Sequence, residues 1–235
     1  MMQKLNDTVT FRNGATVANR IVQPPMLTNS GRDDGHVTQD TINYYNQRSN
    51  SAGMVIVEYT YVSRAGGPSR SWASDREQLG LYKDDQMPGF TKLAQTLKKD
   101  GNKAILQLEH SGREANYRAQ LGEKVYAPSS FDFGFLDYEV EEMTEADILE
   151  VIHDFGAATK RAIDCGFDGV EIHGANHYLL QQFFSAWSNR RHDKWGGDSL
   201  DSRMLFILEV AKEVFRVAKE YGPKDFIIGY RISPE

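Results

Sequence analysis

Three observations on the sequence predict an α/β fold whose sheet is parallel and built from repeated β-α units. Short apolar runs rich in Val and Ile recur along the chain, and stretches of helical length separate them. A glycine (Gly53, Gly101, Gly166, Gly222) stands between a helical stretch and the apolar run that follows it. Such alternation marks a parallel sheet covered by helices, whether as a β/α barrel or as an open α/β sheet.

The elements follow in order. RIVQPPM near residue 20 is the first strand, and residues 38–50 are the first helix. GMVIVEYTYV from Gly53 is the second strand, followed by a helix over about Met87 to Lys99. KAILQLEH from Lys103 is the third; the helix after it, Glu145 to Asp164, opens on a capping box of Thr144 and Asp147. FDGVEIHG from Phe167 is the fourth strand, Leu200 to Glu220 the fourth helix, and DFIIGYRI from Asp225 the fifth strand. Each run is short and apolar enough to be buried on both faces. The glycines between helix and strand suit the left-handed turn that ends a helix.

The links are unequal. Helix-to-strand links are a few residues long. Strand-to-helix links are long, polar and aromatic, as in residues 62–86 and 111–143, the latter containing FDFGFLDY. All the long links leave the C-terminal ends of the strands, where barrels and open α/β sheets both build their sites. A complete barrel takes about 250 residues, yet only five strands are counted by Glu235. The expectation is an incomplete barrel: residues 1–235 as a single domain of about five β/α units, with strands six to eight missing.

Composition bounds the function. A net charge of −6 argues against a nucleic-acid or anionic-membrane surface. No run reaches the ~20 apolar residues of a membrane span, and the N-terminus has no signal-peptide pattern, so a cytoplasmic protein is expected. The lone Cys165 excludes an internal disulfide and reads as a packed residue.

Polar groups gather where strands end. Strand alternation puts Gly169, Glu171 and His173 on one face and Val170 and Ile172 on the other. In a barrel the branched pair would pack on helices and His173 would point into the mouth. Asn176 and Tyr178 follow in the turn. Gln107 and His110 close the third strand, with Arg113 beyond; Pro24, Pro25 and Met26 close the first, and Arg231 the fifth.

RIVQPPM, QLEHSGR, YAPS, EIHGANHYLLQQFFS, SNRRHDKWGG and YRISP, in this order and spacing, resemble the Old Yellow Enzyme family of flavin-dependent oxidoreductases from about Arg20 onward. The resemblance implies a TIM-type (β/α)8 barrel with FMN at its C-terminal mouth. It implies hydride transfer from NADH or NADPH, through the flavin, to an activated alkene or similar small electrophile. His173 and Asn176 would polarise the substrate oxygen, and Tyr178 would protonate the α-carbon. Gln107 would meet the flavin pyrimidine, Arg231 would offset charge at N1 and O2, and backbone at Pro25 and Met26 would flank the ring.

Two positions depart from the family pattern. Leu27 stands where relatives carry Thr or Cys bonded to flavin O4, a bond Thr28 would make if the loop shifted by one residue. His177 stands where the pattern usually has Gly. The glycine-rich segments and Arg that anchor the FMN phosphate in the family's last strands have no counterpart, and AGGPS at 65–69 is a turn rather than a phosphate cradle. One alternative is therefore a partial, non-catalytic barrel binding FMN weakly or not at all, self-associating through its open edges. A metal-dependent hydrolase using His173 and His177 is another, but their i, i+4 spacing shares a face only on a helix and no HExxH pattern or carboxylate cluster supports it.

Overall fold

The computed structural model describes residues 4–32, 34–69 and 76–233. The chain opens on a small hairpin, β1 (Val9–Thr10) with β2 (Thr16–Val17). Then come β3 (Val22–Gln23), α1 (Gln39–Asn46), β4 (Met54–Tyr61), α2 (Met87–Lys98) and β5 (Lys103–Glu109). The long link after β5 holds α3 (Asn116–Gln120) and a two-residue parallel pair, β6 (Tyr126–Ala127) with β7 (Glu141–Glu142). The rest is α4 (Glu145–Asp164), β8 (Gly169–Gly174), α5 (Leu179–Phe184), α6 (Leu200–Tyr221) and β9 (Ile227–Ile232).

The main sheet has five strands in the order β3-β4-β5-β8-β9, every neighbouring pair parallel. Spatial order equals chain order, without the reversal at which a doubly wound sheet switches sides. With right-handed crossovers this puts all the helices on one face, as in a β/α barrel. The side chains agree. Val55, Val57, Ala104, Leu106, Leu108, Val170 and Ile172 join the large core with Phe90 of α2, Phe155 of α4 and Phe206 of α6. On the opposite face Ile56, Ile105 and Ile227 form a separate small cluster with Ala15 of the hairpin. The hairpin therefore closes the N-terminal end of the curled sheet, and Asn13 Nδ2 ties it to the carbonyl of Phe226 at 2.8 Å. Five strands do not close a barrel, and β3 and β9 are left as edges.

Some expectations are corrected. The first strand pairs over Val22–Gln23 only, because Pro24 and Pro25 have no N–H to give a ladder. The first helix stops at Asn46. Gly101 and Gly166 take the left-handed conformation expected of them, with φ of +96° and +86°. Gly222 does not, with φ −83°. Gly53 does not either; it is needed for close approach, since a Cβ there would lie 2.6 Å from the carbonyl oxygen of Asn19. The Thr144–Asp147 capping box is present, with Asp147 N–H donating to Thr144 Oγ1 at 3.2 Å. Residues 70–75 of the long link after β4, and Pro234 of the YRISP stretch, lie outside the described residues.

Candidate functional site at the strand ends

Above the apolar floor the concave face becomes polar. Gln107 on β5 and Glu171 on β8 are register partners, and Gln107 Nε2 donates to Glu171 Oε1 at 2.7 Å. His173, two residues further along β8, is the register partner of Arg231 on β9. The sheet thus brings Gln107, His173 and Arg231 onto adjacent strands near one end. Gln107 Oε1 and His173 Nδ1 are both buried and have no hydrogen-bond partner among the described residues. Glu171 lies between Gln107 and Arg231. Burial raises its carboxyl pKa, while the Gln107 hydrogen bond and the Arg231 charge oppose the rise. Its alternation with His173 was the only signal in the sequence that could have pointed to it.

His173 is neutral at physiological pH. Burial pushes its imidazole down to about 3, and the Arg231 guanidinium adds to the shift. Tyr178 stands against it, with ring centroids 5.0 Å apart at 71°. Burial pushes the Tyr178 phenol well above its ordinary range, and neighbouring Tyr59 and Glu109 push the same way. Tyr59 completes an aromatic trio, 5.8 Å from His173 and 5.1 Å from Tyr178. The register of β4 shifts between Val57 and Thr60, and such an irregularity re-aims a side chain. Because period-two alternation does not survive it, sequence reasoning missed Tyr59.

Other expected residues are placed less closely. Asn176 and His177 are exposed in the turn after β8, with φ of +59° and +62°. Pro25 and Met26 lie in the segment after β3, where Met26 is 58% exposed. That segment is held to β4 through Glu58, which accepts from Thr28 N–H at 2.9 Å and from Thr28 Oγ1 at 2.6 Å. The Thr28 hydroxyl is therefore committed to Glu58 and does not stand in for the residue that Leu27 replaces.

His110 and Arg113 do not face the concave side. His110 lines a cavity of about 340 Å³ with Ser63, Tyr82 and Asp154, bounded by α4. Arg113 sits beneath an aromatic flap, its guanidinium 5.2 Å from the Phe133 ring and 5.5 Å from Trp187. Alternation from Gln107 puts Glu109, not His110, on its side of β5. The SNRRHDKWGG stretch is structural. Asn189 Nδ2 donates to the carbonyls of Phe183 and Trp195, and buried Arg191 donates to those of Pro128 and Met143. A Cβ at Gly197 would collide with the Asn189 carbonyl oxygen. Cys165 is buried in the main core and burial raises its thiol pKa, as a packed residue requires. Among the described residues no three His, Cys, Asp or Glu side chains gather as a metal site, and no helix is long and apolar enough to cross a membrane.

Comparison with known proteins agrees with the fold. The chain is 46% identical over 235 residues to NADH:acrylate oxidoreductase of Vibrio harveyi, matching all of this chain and 23% of that protein. It is 38% identical over 232 residues to the "Probable NADH-dependent flavin oxidoreductase YqiG" of Bacillus subtilis (strain 168), covering 98% of this chain and 60% of that one. The crystal structure of Old Yellow Enzyme from Pichia sp. AKU4542 superimposes with a TM-score of 0.84 at 29% identity, over 98% of this chain and 59% of that one. The chain thus spans about 60% of YqiG and under a quarter of the Vibrio protein. A family model describing the NADH:flavin oxidoreductase / NADH oxidase family matches residues 4–235. With its sequential parallel strands and its polar concave mouth, the chain belongs to this FMN-dependent oxidoreductase family, as an incomplete β/α barrel of the Old Yellow Enzyme type.

Proposed function

We propose that the polar end of the concave face is the FMN and substrate site of an NAD(P)H-dependent oxidoreductase acting on activated alkenes or similar small electrophiles. One observation carries this reading: two buried polar atoms without partners among the described residues, Gln107 Oε1 and His173 Nδ1, stand on adjacent strands beside the Arg231 cation. Burying such atoms unpaired is costly, and a bound group that satisfies them removes the cost. FMN fits the donor set: Gln107 Oε1 would accept from a ring N–H, and Arg231 would sit against the side that gains negative charge. When bound, FMN supplies the hydride. The segment at Pro25 and Met26, pinned through Thr28 to Glu58, would flank the ring.

His173 and Asn176 would donate to the substrate oxygen on which charge accumulates. A neutral imidazole does so without bringing a full charge into a buried site. Tyr178, kept protonated by its surroundings, would give its proton to the α-carbon. A second reading is favoured by chain coverage. Because this chain matches only 23% of the Vibrio relative, its barrel would oxidise NADH and pass the electrons to an acceptor other than an alkene.

The test is anaerobic absorption spectroscopy of the FMN-loaded protein. Flavin bands that bleach with NADH or NADPH and return on adding an enone support the first reading. Bleaching without return, but with rapid re-oxidation by an artificial electron acceptor, supports the second. A fluorescence titration showing no FMN binding would leave the non-catalytic partial barrel in place of both.

A further inference from the structure

Glu171 stands behind Gln107 on the neighbouring strand. The two are register partners on β8 and β5, and Gln107 Nε2 donates to Glu171 Oε1 at 2.7 Å. The side-chain amide of fully buried Gln107 has a donor end and an acceptor end, which exchange places when it turns over. An ionised carboxylate has no hydrogen to give, so it admits only the orientation in which Nε2 faces it. Oε1 is then the free end of the amide, buried and taking no hydrogen bond from any described residue.

The surroundings of Glu171 favour its charged form against burial. Two groups act in that direction: the Gln107 donor from β5 and the Arg231 guanidinium from β9. Directly opposite Glu171 on β9 is Gly229, so no side chain there stands between the carboxylate and Gln107. The same Arg231 charge acts on His173, two residues further along β8. A neutral glutamine at 171 would fix nothing, because it accepts in one orientation and donates in the other.

We propose that Glu171 is a positioning residue for FMN: it locks the Gln107 amide with its carbonyl oxygen toward the ring, so that the site takes a flavin through a ring N–H donor. This rests on the reading of the concave mouth as the FMN site. A reversed amide would set Nε2 against the ring N–H, donor against donor, and the bond would be lost. Glu171 acts through Gln107 and needs no contact of its own with the flavin.

Side-chain amide NMR of the full chain tests the lock directly. The Gln107 amide signal, identified by its loss in Gln107→Leu, should carry one strongly downfield hydrogen. That hydrogen should move upfield when Glu171 takes up a proton on acidification, and also in Glu171→Leu. FMN titration followed by flavin fluorescence, at mildly alkaline pH, supplies the second readout. Glu171→Leu strands Nε2 and should weaken FMN binding about tenfold, towards the low end of what an unmade buried hydrogen bond costs. Glu171→Gln leaves both orientations open and should weaken it only about twofold, as when half the molecules are competent. On a Gln107→Leu background, Glu171→Leu should bring no further loss. The role is overturned if Glu171→Leu leaves the Gln107 amide signal or the FMN affinity unchanged. It is equally overturned if Glu171→Gln loses as much as Glu171→Leu, or if the loss persists without Gln107. Failure of the unsubstituted chain to bind FMN would refute the functional reading, and this role with it.

Discussion

His177 shows what one residue's backbone demands. Its φ of +62° follows Asn176 at +59°, so two consecutive non-glycine residues turn the chain from β8 into α5. Asn tolerates this conformation, whereas other non-glycine residues are strained in it. The turn persists because it is over-determined: His177 N–H donates to Gln181 Oε1 at 2.7 Å and the His177 carbonyl accepts from Gln182 Nε2 at 2.5 Å. His177→Gly is expected to stabilise the fold by up to about 1 kcal/mol, the left-handed cost less the entropy glycine restores to the unfolded chain. Denaturant unfolding of the two proteins measures it. Leu27 raises a different matter, since its neighbour's hydroxyl is spent on Glu58.

Among the elements, α4 and the links around α5 carry most of the arrangement. The N-terminus of α4 is capped reciprocally, with Asp147 Oδ2 accepting from Thr144 N–H at 2.7 Å. Thr144→Ala is expected to cost about 1 kcal/mol while leaving the FMN affinity of the protein unchanged, because no Thr144 contact reaches the concave face; thermal unfolding and a flavin titration check the two halves. The six-residue α5 is short but well latched: Gln182 joins it to the link after β5 through Arg113 N–H at 3.1 Å and the Ser111 carbonyl at 3.1 Å. That latch sets where Tyr178 stands. The helices and apolar strands were legible from their periods. Legibility ended at the β4 register shift, which turns Tyr59 toward His173, and in the long links, where Gln78 and Ser69 meet Glu109 across a fold-dependent gap.

At the scale of the whole molecule, four buried titrating groups set opposed pH dependences. His110 and His173 are both pushed down to about 3, chiefly by burial. Between that value and the ordinary 6.5 the unfolded chain binds more protons, so stability rises with pH through this window. Glu58 and Glu109 are raised from 4.5 to about 7 and about 8, again by burial. Between those values the folded chain binds more protons, so stability falls as pH rises. Together they place greatest stability between about 4.5 and 6.5, where the two slopes oppose. Melting temperature against pH should fall on both sides of that window, and Glu109→Gln should flatten the alkaline side. The open edges carry another consequence. β9 presents Tyr230 and the 70% exposed Ile232, and Phe215 of α6 is exposed nearby in sequence. Unpaired edges with apolar faces recruit strands, so the isolated chain is expected to self-associate, as a homo-oligomer or larger species. Light scattering showing a monomer at high concentration would refute this.

The sequence by itself determined the parallel β-α succession, the outward packing of Val170 and Ile172, and the gathering of Gln107, His173 and Arg231 near one end, because these depend on periods of two and 3.6 residues that any short segment displays. Only the tertiary structure decided that Tyr59 joins His173, that Thr28 is committed to Glu58, and that Glu109 reaches Ser69 through Gln78. Those partners are separated by tens of residues, and their meeting depends on strand register and link path, which no local pattern encodes.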